Sequence, residues 1–141
     1  MGGISRSRLR HDPAGFAVFE GVVSLERNGG FASVRAPLEQ PGKPGAERCQ
    51  LEVRGESRLF KLNLIPAERF DAISYQAEFT PFAEAWQLVG LPMTSFRASF
   101  RGRAVPDAPL LDPADIRQLG LMISGGQAGK FSLDVRSIWL S

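Results

Sequence analysis

The stretch Ile73-Ser74-Tyr75-Gln76-Ala77-Glu78-Phe79-Thr80 alternates apolar and polar side chains without a break. Period two is the signature of a strand with one face on a core and the other in water. Ile73, Tyr75, Ala77 and Phe79 face one way; Ser74, Gln76, Glu78 and Thr80 face the other. The same period runs through the neighbouring segments. Cys49 to Arg54 turns Leu51 and Val53 inward and Glu52 and Arg54 outward. Phe60, Leu62 and Leu64 alternate with Lys61 and Asn63, and Gly55-Glu56-Ser57 between these runs predicts a hairpin.

Further upstream, Ile4 to Arg10 reads as a first strand and Phe16 to Glu26 as an apolar, β-branched second one. Asn28-Gly29-Gly30 then leads into Phe31 to Arg35. Asn-Gly between two such runs predicts another hairpin, because both turn residues tolerate positive φ. Pro37 to Gly45 is a loop rich in breakers.

Downstream, Trp86 to Leu91 is a strand stopped by Pro92, and Phe96 to Arg103 is extended chain running into a loop at Gly102. Asp112-Pro113-Ala114-Asp115-Ile116 places a capping residue before Pro, which predicts one short helical turn. Leu119 to Ser124 is a strand turned by Gly125-Gly126. On the last strand Phe131, Leu133, Val135 and Trp139 point inward, with Ser132, Asp134 and Arg136 outward. Nine or ten short antiparallel strands, no long helical pattern and no fixed repeat describe an all-β protein. Its expected architecture is a β-sandwich of two stacked sheets, of the jelly-roll kind, forming a single domain over 1–141.

Composition narrows the function. The chain has 141 residues, 43% hydrophobic and 23% charged, which is a globular balance. It has 14 Arg and 3 Lys against 6 Asp and 9 Glu, a net charge of +2 with no run of like charges. That is too little to demand a polyanion as partner. No apolar run is long enough to span a membrane. The single Cys49 excludes an internal disulfide, and the single His11 excludes a multi-His metal site.

No catalytic constellation stands out. His11 beside Asp12 reads as a surface residue rather than half of a triad, and no nucleophile elbow or phosphate loop is present. Cys49 opens a strand and reads as a buried, inert thiol. Glu52, Glu78 and Glu84 are formally a carboxylate set for a glycosidase, but read better as solvated strand edges. Asp107, Asp112 and Asp115 match no calcium-loop spacing. The expectation is no catalytic residue, no metal and no cofactor.

Two surfaces are candidates for binding. Phe96-Arg97-Ala98-Ser99-Phe100-Arg101-Gly102-Arg103 interleaves aromatic rings with Arg97, Arg101 and Arg103. Such a stretch stacks bases or sugars, or it buries the rings and lets the Arg stems lie along the sheet edge. The second surface is a polar face made of Arg35, Arg54, Lys61, Gln76 and Glu78, which share one outer side if the strands pair as read. Trp86 and Tyr75 are the natural platforms for a sugar, but both sit on strand faces that read as core.

A further pattern runs the length of the chain. It starts with Met1-Gly2-Gly3-Ile4-Ser5, Phe19-Glu20-Gly21 with Leu25, and Asn28-Gly29-Gly30-Phe31-Ala32-Ser33-Val34-Arg35. It continues through Val53-Arg54-Gly55, Ser74-Tyr75-Gln76 with Phe79, Trp86 with Leu91-Pro92 and Phe96, and Phe100-Arg101-Gly102-Arg103. It ends with Leu119-Gly120-Leu121-Met122-Ile123-Ser124, Gln127-Ala128-Gly129 and Phe131. In these blocks and their order, over nearly the whole chain, the sequence resembles the complex I intermediate-associated protein 30 family.

The resemblance implies a galactose-binding-domain-like jelly-roll sandwich and a non-enzymatic, chaperone-like role in assembling respiratory complex I. The implied partner is a protein, a respiratory complex subunit or assembly intermediate, with carbohydrate or RNA as alternatives. With no leader read in the sequence, the expected location is the bacterial cytoplasm, peripheral to the membrane through partners; the resemblance implies the mitochondrion in a eukaryote. Relatives carry a short Trp- and Asp-containing stretch before Met-Gly-Gly, so an upstream start or a trimmed edge strand is expected. They also carry Gly-Asp-Gly where this chain has Gly55-Glu56-Ser57.

Overall fold

The structure, a computed structural model, describes residues 6–25, 31–38, 42–66, 73–82, 84–124 and 127–141. Eleven strands lie within them: β1 (Arg6–Asp12), β2 (Phe16–Val23), β3 (Ala32–Pro37), β4 (Arg48–Gly55), β5 (Phe60–Ile65), β6 (Ser74–Phe79), β7 (Gln87–Pro92), β8 (Arg97–Phe100), β9 (Arg103–Ala104), β10 (Gln118–Ile123) and β11 (Gly129–Leu140). They form a five-stranded sheet of order β1-β2-β11-β4-β7 and a six-stranded sheet of order β3-β10-β5-β6-β8-β9. Every pairing is antiparallel. The architecture is the expected jelly-roll sandwich, with one strand more than the upper count.

Both long hairpins read from the sequence are corrected. β2 pairs with β1 and β11, whereas β3 pairs with β10 in the other sheet. The Asn28-Gly29-Gly30 turn itself lies outside the described residues, as does Gly125-Gly126. Likewise β4 pairs with β11 and β7, while β5 pairs with β10 and β6. A turn signal reports that the chain reverses, not which strand receives it. Each sheet must cover the apolar face of the other, so the chain crosses between layers and pairing partners arrive from far along the sequence.

The core fills the space between the sheets. Phe19 and Phe131 from one sheet meet Phe60 from the other, with ring centroids 4.9 to 6.4 Å apart in edge-to-face arrangements. Phe60 stacks on Phe79 at 5.9 Å. These geometries suit the ring quadrupole and add to simple area burial. Leu51, Val53, Leu62, Leu64 and Leu133 close around them, and Tyr75 lies in the core as expected. Its hydroxyl is satisfied by donating to the Pro109 carbonyl at 2.5 Å.

The expected helical turn is a 3-10 turn at Pro113–Asp115, capped by the Asp112 side chain, which accepts from the Ala114 N–H. The β8–β9 hairpin turns at Arg101 and Gly102, with φ of 50° and 81°. Two positive φ values are what a two-residue type I′ turn requires.

The last strand breaks its own alternation. Phe131, Leu133 and Val135 face the core, but Trp139 is 41% exposed. The register with β4 shifts between Val135 and Ser137, so Arg136 is an extra residue in a β-bulge. The bulge moves the inward phase by one, and Ile138 and Leu140 pack against the core in place of Trp139.

Candidate functional site on the five-stranded sheet

The outer face of the five-stranded sheet is built by residues that alternate with the core set. In register across β1, β2, β11 and β4 they are Arg8 and Arg10, Glu20, Ser132 and Asp134, and Arg54. The charges are organised into pairs. Arg8 Nη2 reaches Glu20 Oε2 at 2.7 Å, and Arg10 Nε reaches Glu20 Oε1 at 3.2 Å. These donors, Arg8 first, hold the Glu20 carboxyl below its usual range. Arg54 grips Asp134 Oδ2 through Nε and Nη2, both at 2.9 Å, and Arg136 reaches Glu52 at 3.0 Å.

Trp86 lies on this face and not in the core, contrary to the sequence reading. Its ring stands 4.0 Å from the Arg136 guanidinium carbon and 4.5 Å from that of Arg54. Phe16 meets it edge-on at 5.4 Å. Trp86 precedes β7 by one residue and continues its outward phase: Leu88 and Gly90 lie opposite the outward-facing Glu52 and Gln50, and one step further Trp86 comes out on the side of Arg54. Contact with two guanidinium planes is a favourable setting for an indole at a wet surface.

Beside Trp86 the same face holds an open groove of about 840 Å³. Arg8, Glu20, Arg54, Lys130, Ser132 and Asp134 line it, together with Glu56, Glu84 and the apolar Val22. Donors and acceptors are therefore interleaved around an apolar strip. The arrangement suits a partner rich in hydrogen-bonding groups, and Arg54, which lines the groove, links it to the Trp86 ring.

The polar face expected from the sequence is split between the two sheets. Arg35, Gly120, Asn63, Gln76 and Arg97 form one row across β3, β10, β5, β6 and β8 on the outer side of the six-stranded sheet. Lys61 and Glu78 pair directly in the next row. Arg54, expected with them, faces the opposite side of the molecule, because β4 and β5 belong to different sheets. Gly120 lets this row close. A Cβ there would sit 3.0 Å from the Val34 carbonyl oxygen and 3.4 Å from Arg35 Cγ. Asn63 Oδ1 is buried in the row without a hydrogen-bond partner, the one such side-chain atom among the described residues.

Arg101 and Arg103 flank the β8–β9 turn at the edge of this second sheet, far in the strand order from β3. Phe96 is buried, and the Arg101 guanidinium lies 5.1 Å from the Phe100 ring centre. The aromatic residues of this stretch thus serve packing, with Arg stems over them. Glu52 and Glu78 lie on opposite outer faces and do not form a carboxylate pair. His11 is exposed on β1, and Asp12 caps its own turn by accepting from the Ala14 N–H. Cys49 is buried, and burial pushes its thiol up to about 12. Among the described residues no group of three or more His, Cys, Asp or Glu is placed to hold a metal ion. None of their helices is long and apolar enough to cross a membrane.

The sequence reading missed Arg136 as a neighbour of Trp86, and Arg8, Glu20, Lys130, Ser132 and Asp134 as the lining of the groove. The available signal was the outward phase of β2 and β11, but it could be used only once those strands were known to be adjacent.

Comparison with known proteins agrees with this architecture. The family described as Complex I intermediate-associated protein 30 (CIA30) matches residues 1–135. An uncharacterized protein of Schizosaccharomyces pombe is 37% identical over 71 residues. That match covers 48% of this chain and 32% of the yeast protein, so the chain spans about a third of that relative's length. Among solved structures, the family 11 carbohydrate-binding module of the cellulosomal cellulase Lic26A-Cel5E of Clostridium thermocellum superposes with a TM-score of 0.68. The identity is 15%, over 97% of this chain and 81% of that one. The same module has been solved with a β-1,3-1,4-mixed-linked tetrasaccharide. A family 30 carbohydrate-binding module superposes with a TM-score of 0.60 at 12% identity, over 99% of this chain and 91% of that one. Likeness at such identities establishes the galactose-binding-like sandwich fold.

Proposed function

This chain belongs to the complex I intermediate-associated protein 30 family, and from that premise we propose that it is a non-catalytic binding domain for assembly of respiratory complex I. It holds a protein partner on the outer face of the five-stranded sheet. The observation that carries the reading is Trp86, kept out of the core and set against Arg54 and Arg136 beside the groove. Trp and Arg are the residue types that most often dominate protein interfaces. Here the arginines are pinned by Asp134 and Glu52, so the face is ordered before a partner arrives and loses less side-chain freedom on binding. The buried Cys49 thiol and the opposed faces of Glu52 and Glu78 favour a role without turnover.

The test is capture by the tagged protein from its native cells in mild detergent, with matched low- and high-salt washes. Recovery of complex I subunits that survive high salt is expected. Recovery of RNA and ribosomal proteins that wash off with salt would replace this reading with a nucleic-acid one.

The position of Trp86 also favours a second reading, carbohydrate binding, because it supplies an exposed-face aromatic next to interleaved donors and acceptors. Titration with a mixed-linked gluco-oligosaccharide tests it. Saturable binding abolished by Trp86→Ala supports it, and a flat titration removes it.

A further inference from the structure

Among the described residues the two sheets end in four edge strands: β1 and β7 in one, β3 and β9 in the other. Exposed edges invite pairing with other chains, and natural proteins guard them with charge, proline or brevity. β1 carries Arg8 and Arg10, β3 carries Arg35 and Pro37, and β9 is two residues long. β7 differs: Gln87-Leu88-Val89-Gly90-Leu91-Pro92 is six residues without a charge.

Among the described residues β7 has one hydrogen-bonded neighbour, β4. The Met93 N–H donates to the Glu47 carbonyl at 2.9 Å, which sets the phase of that ladder. Hydrogen-bonded pairs alternate along an antiparallel ladder. Gln87, Val89 and Leu91 therefore turn their backbone groups toward β4, and Leu88 and Gly90 turn theirs away from it. Pro92 shares the phase of Leu88 and Gly90 and has no N–H, the position an edge strand tolerates.

This edge is self-complementary. Set antiparallel to itself about a two-fold axis through Val89, it brings Leu88 of one copy opposite Gly90 of the other, and the reverse. Each of these pairs closes two N–H···O=C bonds. The Leu88 side chain, 63% exposed, lies against a residue with no side chain to oppose it. Pro92 then ends the pairing on both sides. We infer that β7 is a dimerisation edge whose partner is a second copy of this chain. The contact is isologous, as two-fold dimers are. It joins two five-stranded sheets into one continuous sheet with both Trp86 faces on the same side. This goes beyond the assembly role and does not depend on it.

Sedimentation equilibrium and amide hydrogen exchange on the full chain, over a rising concentration series, test the inference. The mass is expected to climb from 15.4 kDa toward twice that value. Exchange at Leu88 and Gly90 slows as it does, while Val89 and Leu91 stay slow throughout because β4 holds them. Leu88→Lys is expected to keep the wild-type unfolding curve and to stay monomeric where wild type dimerises. Should that variant fail to fold, the wild-type exchange pattern still decides. A wild-type mass fixed at the monomer value, or a dimer in which Leu88 and Gly90 exchange at the monomer rate, would overturn the inference.

Discussion

The Arg54 guanidinium carbon stands 4.5 Å from the centre of the Trp86 ring. The same group binds Asp134 through two nitrogens at 2.9 Å, so one planar fork orients the aromatic platform and is itself oriented by β11. Lysine offers a point charge and no plane. Arg54→Lys is therefore expected to lower stability by about 0.5–1 kcal/mol. In a Trp139→Phe background it should also shift Trp86 fluorescence to longer wavelength. Unchanged emission would show that the ring does not rest on this guanidinium.

Phe19 touches the rings of Phe60 and Phe131 across the two layers. Phe19→Ala leaves a cavity where both sheets meet, and is expected to cost about 3–5 kcal/mol. Urea titration should show a lower midpoint with the same slope.

The bulge at Arg136 makes a sharper claim. Strict alternation would bury Trp139, whereas in the structure Ile138 packs half-buried against the core and Trp139 is exposed. Trp139→Ser is expected to cost about 1 kcal/mol or less and Ile138→Ser at least twice that. The reverse order in chemical denaturation would place the tryptophan back in the core.

Cys49 gives a pH prediction. Its thiol is pushed up to about 12 by burial, so the folded state favours the neutral form. That preference contributes fully below the ordinary thiol range and is lost as pH rises from there toward 12. Stability should fall along this alkaline limb, with a slope of up to about 1.4 kcal/mol per pH unit. Cys49→Ser should flatten the limb. A thiol reagent at pH 8 should label the native protein slowly and the unfolded chain at once.

Arg101 holds a positive φ of 50° at the first position of the β8–β9 turn. Asparagine accepts that conformation more readily, so Arg101→Asn is expected to raise stability by roughly 0.5–1 kcal/mol. Thermal unfolding reads it directly.

The strands were legible in the sequence because their faces alternate; Ser74 to Phe79 is the plainest case. Pairing was not, since Asn28-Gly29 and Gly55-Glu56 look like hairpin turns whether or not the next strand joins the same sheet. That one ambiguity put Arg54 with Lys61 and hid its closeness to Asp134. Trp139 was misread because a bulge leaves no mark in a run such as Val135-Arg136-Ser137. Trp86 was misread because its phase-mate Leu88 is apolar and reads as core in the sequence, whereas Val89 and Leu91 carry the inward phase and Leu88 is exposed.

The central claim is that the Trp86 face of the five-stranded sheet holds the partner. It is tested most directly by repeating the native-cell capture with three tagged forms side by side: wild type, Trp86→Ala, and a Gln76→Ala/Arg97→Ala variant of the opposite face. The account predicts complex I subunits retained through high salt by wild type and by the opposite-face variant, and lost by Trp86→Ala. Retention by Trp86→Ala with loss by the opposite-face variant would contradict it.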